Sequence, residues 1–141
     1  MPSEHYRYYR LDPKEKEAVK KAVRKVLEEG DVELAIIFGS FVELESFRDV
    51  DVAVYAGSRE LDLDAVIKLS VELEERLRIP VDVVPLDAIS PSFRHYILAR
   101  GKVVLEKRSG LYEALLMQTL DELAVLESEK ALGSEASTAK K

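Results

Sequence analysis

Apolar side chains at Val19, Ala22, Val23, Val26 and Leu27 recur every three or four positions, which predicts an amphipathic helix over 13–29. Asp12 stands where an N-cap belongs and Gly30 supplies the stop. Leu34 to Phe38 is an unbroken apolar run ending at Gly39, the pattern of a strand covered on both faces. The strand expected over 50–55 is of another kind. Val50, Val52 and Val54 share one face, while Asp49, Asp51 and Ala53 share the other, so one side packs and the other carries acids.

Helical spacing returns from Leu61 to Leu77, and Pro80 blocks any continuation. A third strand over 81–84, a short helix over 89–100 ending at Gly101, a strand over 103–105 and a patterned helix over 111–126 complete the series. The alternation predicts an α/β (α+β) fold, a small sheet with helices packed on it. Residues 1–12 read as an N-terminal segment, 13–128 as the domain, and 129–141 as a disordered tail, small and polar from Gly133 onward. The last helix, with Leu111, Leu115, Leu116, Leu120, Leu123, Ala124 and Leu126, has more apolar surface than one small sheet needs. Part of it is expected in the core and part on a partner or dimer face.

Composition narrows the function classes. At 141 residues there is room for one compact domain, so one site is sought. No apolar run approaches the roughly 20 residues of a membrane-spanning helix. The start, Met1-Pro2-Ser3-Glu4-His5-Tyr6, lacks the basic and apolar stretches of a secretory signal and the chain has no cysteine, so a cytoplasmic setting is expected. A net charge of −6 opposes binding to a phosphate backbone and makes nucleic acid a poor candidate partner. One Gln, no Asn and abundant Glu, Lys and Arg match the balance of proteins that work at high temperature.

The chemistry concentrates at one place. Asp is depleted in strands, yet Asp49 and Asp51 open one and Asp82 lies in another. Carboxylates held close together repel and raise one another's pKa, unless a cation such as Mg²⁺ sits among them. Magnesium favours oxygen ligands and commonly shares them with substrate phosphates, so a triphosphate is the natural co-ligand. Gly39 permits close approach where the buried strand turns, and Ser40 offers a hydroxyl beside backbone N–H groups suited to phosphates. Singly, a Gly-Ser turn is usually only a turn and an Asp-x-Asp pair a solvated face. Together they converge with Asp82 on one end of a sheet.

Phe38-Gly39-Ser40, then Asp49-Val50-Asp51-Val52, then Asp82 in a later strand, resemble the signature of DNA polymerase β-type nucleotidyltransferases, over about residues 19–105. The short chain resembles their minimal branch, the MNT proteins. That likeness implies a small mixed sheet and two Mg²⁺ ions held with the triphosphate of ATP or another NTP by Asp49 and Asp51. It gives Asp82 one of the ions and a part in deprotonating the acceptor hydroxyl, and it places the phosphates on Gly39 and Ser40. The implied reaction is attack of that hydroxyl on the α-phosphorus, with release of pyrophosphate. Minimal family members often pair with a small helical HEPN toxin, and some silence it by transferring AMP to a tyrosine of that partner. An antitoxin role is therefore expected.

The chain departs from the family pattern at Glu43 and Leu44, where many relatives carry Arg and Gly, and only eight residues separate Ser40 from Asp49. Those departures favour an alternative, a module that kept the fold and neutralises its partner by binding alone. Arg48, Lys68 and Arg76 are candidates for compensating charge. Transfer to a small molecule such as an aminoglycoside is disfavoured by the short chain. His5 and His95 lack the spacing of a zinc site or a triad. The cluster of Tyr6, Tyr8 and Tyr9 with Arg7 and Arg10 is expected to pack on the domain rather than to stack on a base.

Overall fold

The computed structural model describes residues 7–57 and 59–139, with 134–139 as backbone alone. His5 and Tyr6 lie outside the described residues. The elements in order are β1 (Tyr9–Arg10), α1 (Pro13–Glu28), β2 (Leu34–Phe38), α2 (Ser40–Glu43), β3 (Ser46–Phe47), β4 (Val50–Tyr55), α3 (Leu63–Leu77), β5 (Val81–Pro85), α4 (Pro91–Arg100), β6 (Lys102–Glu106) and α5 (Leu111–Ala139). A 3₁₀ turn, Leu86–Ala88, joins β5 to α4.

Four strands make one mixed sheet in the order β5-β4-β2-β6, with β4 and β5 parallel and the other neighbours antiparallel. Every residue of β2 is buried, as its apolar run predicts. The alternation of β4 sets two cores. Val50, Val52 and Val54 join Ala35, Ile37 and Val81 under α1 and α3, while Ala53 joins Leu34, Ile36 and Phe38 under α4 and α5. The result is three layers, helices on each face of a sheet, which is how a sheet buried on both sides escapes water.

Local sequence accounts for the helix ends. Asp12 caps α1 through a capping box with Glu15, Asp62 caps α3, and Ser90 caps α4. Ion pairing inside the molecule is concentrated at Arg94. Only 7% exposed, it donates to the carbonyls of Leu86 and Ile89, to the Thr119 hydroxyl at 3.3 Å and to Glu122 at 2.9 Å. One guanidinium thereby fastens the 3₁₀ turn and α4 to α5.

Three features depart from the expected pattern. The helix α2 and the ribbon of β1 with β3 are too short for periodicity to register. Tyr9 does pack on the domain, stacking on Phe47 with centroids 5.8 Å apart, while Tyr8 is exposed. Through the stretch expected as a tail from 129, α5 instead continues as helix to Ala139. Glu127, Lys130, Ala131 and Leu132 favour helix, and nothing before Gly133 breaks it. Met117, Leu120, Val125, Leu126 and Leu132 leave apolar surface on α5 open to solvent. Among the described residues no helix is long and apolar enough to cross a membrane.

Arg94→Ala strands the carbonyls it serves and leaves Glu122 unpaired, so it should lower stability by about 2–4 kcal/mol. Urea unfolding of the variant against the parent measures the loss.

Candidate active site

Strand register brings the acids together. Phe38, at the end of β2, lies opposite Asp51, and Asp51 lies opposite Asp82 on the parallel neighbour. Cross-strand partners share a face, so Asp51 and Asp82 project on the side where Phe38 and Ala53 meet α4 and α5. Asp49 precedes β4 by one residue and its carboxylate joins them. Oxygens of all three lie within 4.8 Å of one another.

Gly39 closes the site from the β2 side. Its backbone, φ 79° and ψ −152°, lies in a region essentially reserved for glycine. A Cβ there would come within 2.5 Å of Asp51 Oδ2, so the missing side chain is what lets the turn sit against the carboxylate. From Gly39 the chain enters α2, where the Gly39 carbonyl accepts from the N–H groups of Val42 and Glu43 and the Ser40 carbonyl accepts from Leu44. The next loop is pinned by Lys16 of α1. Its Nζ donates to the carbonyls of Phe41 at 2.7 Å and Leu44 at 2.9 Å, and it lies over the rings of Phe41 and Phe47. Phe41 packs edge-on against Phe47 at 4.9 Å, which anchors the approach to Asp49.

Crowding shows in the electrostatics. Burial first, then the charges of Asp49 and Asp82, push the Asp51 carboxyl up to about 7. Asp49 is also raised, by burial and then by Asp82, with Arg48 opposing the rise. The side-chain carboxylates of Asp51 and Asp82 accept no hydrogen bond and form no ion pair among the described residues. Three hard oxygen donors that repel one another in this way form a donor set suited to Mg²⁺.

Of the basic candidates, Arg48 stands beside the acids, whereas Lys68 and Arg76 belong to α3, on the opposite face of the sheet. Arg76 instead lines a groove with Val26, Glu72 and Glu75. Sequence reasoning missed the α4 side of the cleft, where Phe93, Tyr96 and Arg100 recur at helical spacing. Glu43 accepts from the Tyr96 hydroxyl at 2.9 Å and from Arg100 Nε at 2.6 Å. Phe93 meets Phe38 edge-on and stacks with Tyr96. The i, i+3, i+7 recurrence of long polar or aromatic side chains was the available signal.

The family model described as "Polymerase beta, Nucleotidyltransferase" matches residues 20–110, most of the chain and all of the site but Lys16, which pins the loop after α2. The chain belongs to the polymerase β nucleotidyltransferase family. No curated protein sequence matches it significantly. Among solved structures, a toxin–antitoxin complex with AMP-PNP is similar at TM-score 0.70 and 24% identity, over 83% of this chain and 97% of that one. The MntA–HepT toxin–antitoxin gives TM-score 0.68 at 23% identity, over 85% and 97% of the two chains. A tri-AMPylated Shewanella oneidensis HEPN toxin in complex with an MNT antitoxin gives 0.69 at 23%, over 86% and 98%. At these identities the likeness is one of nucleotidyltransferase fold, and it extends the family match to nearly the full length of those chains.

Gly39→Ala should destabilise the fold by about 1–3 kcal/mol through backbone strain, and should displace Asp51 as well. Thermal or urea unfolding measures the first effect. A pH dependence follows from Asp51. Its folded pKa lies above its unfolded one, so between ordinary Asp values and about pH 7 the folded chain holds a proton that the unfolded chain has released. Stability in a chelator should therefore fall as pH rises from 5 to 8. Asp51→Asn should flatten that decline, as read from urea midpoints at the two pH values.

Proposed function

We propose that the chain is a magnesium-dependent nucleotidyltransferase that transfers a nucleoside monophosphate, AMP from ATP, to a hydroxyl of a protein partner, as the antitoxin of a HEPN toxin. The observation that carries this reading is the gathering of three carboxylates, oxygens within 4.8 Å, beside a glycine turn that only a residue without Cβ can make.

Asp49, Asp51 and Asp82 would hold the metal, two ions by the family likeness. When bound, magnesium neutralises the triphosphate and stabilises the entering and leaving oxygens of the displacement. The chain's own residues position the reactants. Ser40, with its hydroxyl and the N–H groups of the turn, grips the outer phosphates while Gly39 lets them approach the backbone. Asp82, the most exposed of the three acids, takes the proton of the acceptor hydroxyl as that oxygen bonds to the α-phosphorus. The bond to the β-phosphate oxygen breaks and pyrophosphate departs.

The partner class is inferred from the company of similar folds, which are toxin–antitoxin complexes and include an AMPylated HEPN toxin. Exposed apolar side chains on α5 give such a partner, or a second copy, a surface to meet.

Calorimetric titration of Mg-ATP into the wild type and the Asp49→Asn/Asp51→Asn variant tests the site without knowledge of the acceptor. Binding to the wild type and a loss of at least about a hundredfold in the variant is expected. Transfer of labelled AMP to a co-expressed HEPN partner should disappear in Asp51→Asn. Retained transfer would show the metal role to be wrong, and a wild type that silences its partner without transfer would point to neutralisation by contact alone.

A further inference from the structure

Glu43 of α2 pairs with Arg100 and Tyr96 of α4, the helix whose Phe93 packs on Phe38 just before the Gly39 turn. Both oxygens of Glu43 are committed, Oε1 to Arg100 Nε and Oε2 to the Tyr96 hydroxyl. The guanidinium is thus fixed by its Nε edge alone. Its two Nη groups make no hydrogen bond among the described residues, and the side chain is 62% exposed. An arginine held at Nε and open at both Nη groups presents a planar fork that matches phosphate oxygens.

Backbone placement puts this fork at the turn. Lys102 lies opposite Ile37 in the antiparallel pairing of β6 with β2. Arg100 ends α4 two residues before that pair, and its bond to Glu43 sets it beside α2, the helix that begins at Ser40. Gly101 makes the approach feasible, because a Cβ there would run into Ile36 Cγ2 and the Ile97 carbonyl. Glu43 lies three residues after Ser40 in α2, so the carboxylate that aims Arg100 is itself part of the turn's helix. Arg100 and then Tyr96 hold Glu43 below the usual carboxylate range, which keeps it ionised and paired.

We propose that Arg100, aimed by Glu43, binds the phosphate chain of a nucleoside triphosphate at this site, with Glu43 acting as a positioning residue. The inference rests on the nucleotide-binding reading given above. The pair is neutral overall, so Glu43 adds no net repulsion of an incoming anion, and the two free Nη groups offer directed N–H donors to phosphate oxygens.

Mg-ATP and magnesium tripolyphosphate titrated into the wild type, Arg100→Gln, Glu43→Ala and the double variant provide the test. Arg100→Gln should weaken both ligands about tenfold. Glu43→Ala should weaken both by a smaller factor and should add nothing once Arg100 is replaced, since it acts through that residue. Arg100→Lys, which keeps the charge but loses the fork, should fall between wild type and Arg100→Gln. Unchanged binding of both ligands in Arg100→Gln overturns the inference. So does a loss confined to ATP, which would place Arg100 on the nucleoside, or tighter binding in Glu43→Ala, which would make Glu43 a block. A wild type that binds Mg-ATP while Arg100→Gln binds it equally removes this inference alone. A wild type that binds neither ligand removes the nucleotide site as well. Thermal unfolding of each variant verifies that the fold is retained.

Discussion

Mutual repulsion among Asp49, Asp51 and Asp82 is the constraint around which this end of the molecule is organised. Three carboxylates within a few ångströms are unfavourable in isolation, and partial burial makes them more so. The fold holds them there with its most rigid parts. Asp51 and Asp82 are fixed by strand register, Asp51 is flanked by the fully buried Val50 and Val52, and Gly39 presses on its carboxylate. A strained arrangement of this kind persists only when the surrounding packing over-determines it. Here two hydrophobic cores, one on each face of the sheet, supply that support.

Much of this was legible in the sequence because it depends on short-range periodicity. The all-apolar run of β2 marks a strand covered on both sides, and the valine alternation of β4 fixes which face each residue takes, and with that the side on which Asp51 projects. Asp12 and Pro80 marked ends that local stereochemistry enforces. What escaped were contacts between residues far apart in the chain. Glu43 read as a lost positive charge. Its partners Tyr96 and Arg100 lie more than fifty residues on, and no pattern along the chain joins them. Nothing in the sequence marks Lys16 either, although it clasps the loop that leads to Asp49. The length of α5 is not legible from composition, which weighs apolar content, whereas a helix already begun at Leu111 propagates through residues of adequate propensity.

The two sides of the cleft are built by different means. On the sheet side, backbone hydrogen bonding sets the acids. On the helix side, α4 is set by side chains. Arg94 turns inward to bind carbonyls and α5, and Tyr96 and Arg100 turn outward to Glu43. One helix thus carries a buried cation that determines its seat and an exposed one paired with Glu43. The spacing of six residues between them puts these tasks on different faces.

The pairing of β4 with both β2 and β5 has a consequence for how such a chain can drift. Side chains in a strand alternate with a period of two, so sliding β4 by one residue would turn Asp51 inward and expel Val50 and Val52 to the cleft. A slip in the register of β4 therefore cannot erode the acidic cluster gradually, because the same slip empties the core beneath α1 and α3. Lineages carrying this fold are free to lose the acids by substitution, one at a time, but not by a slip of strand register.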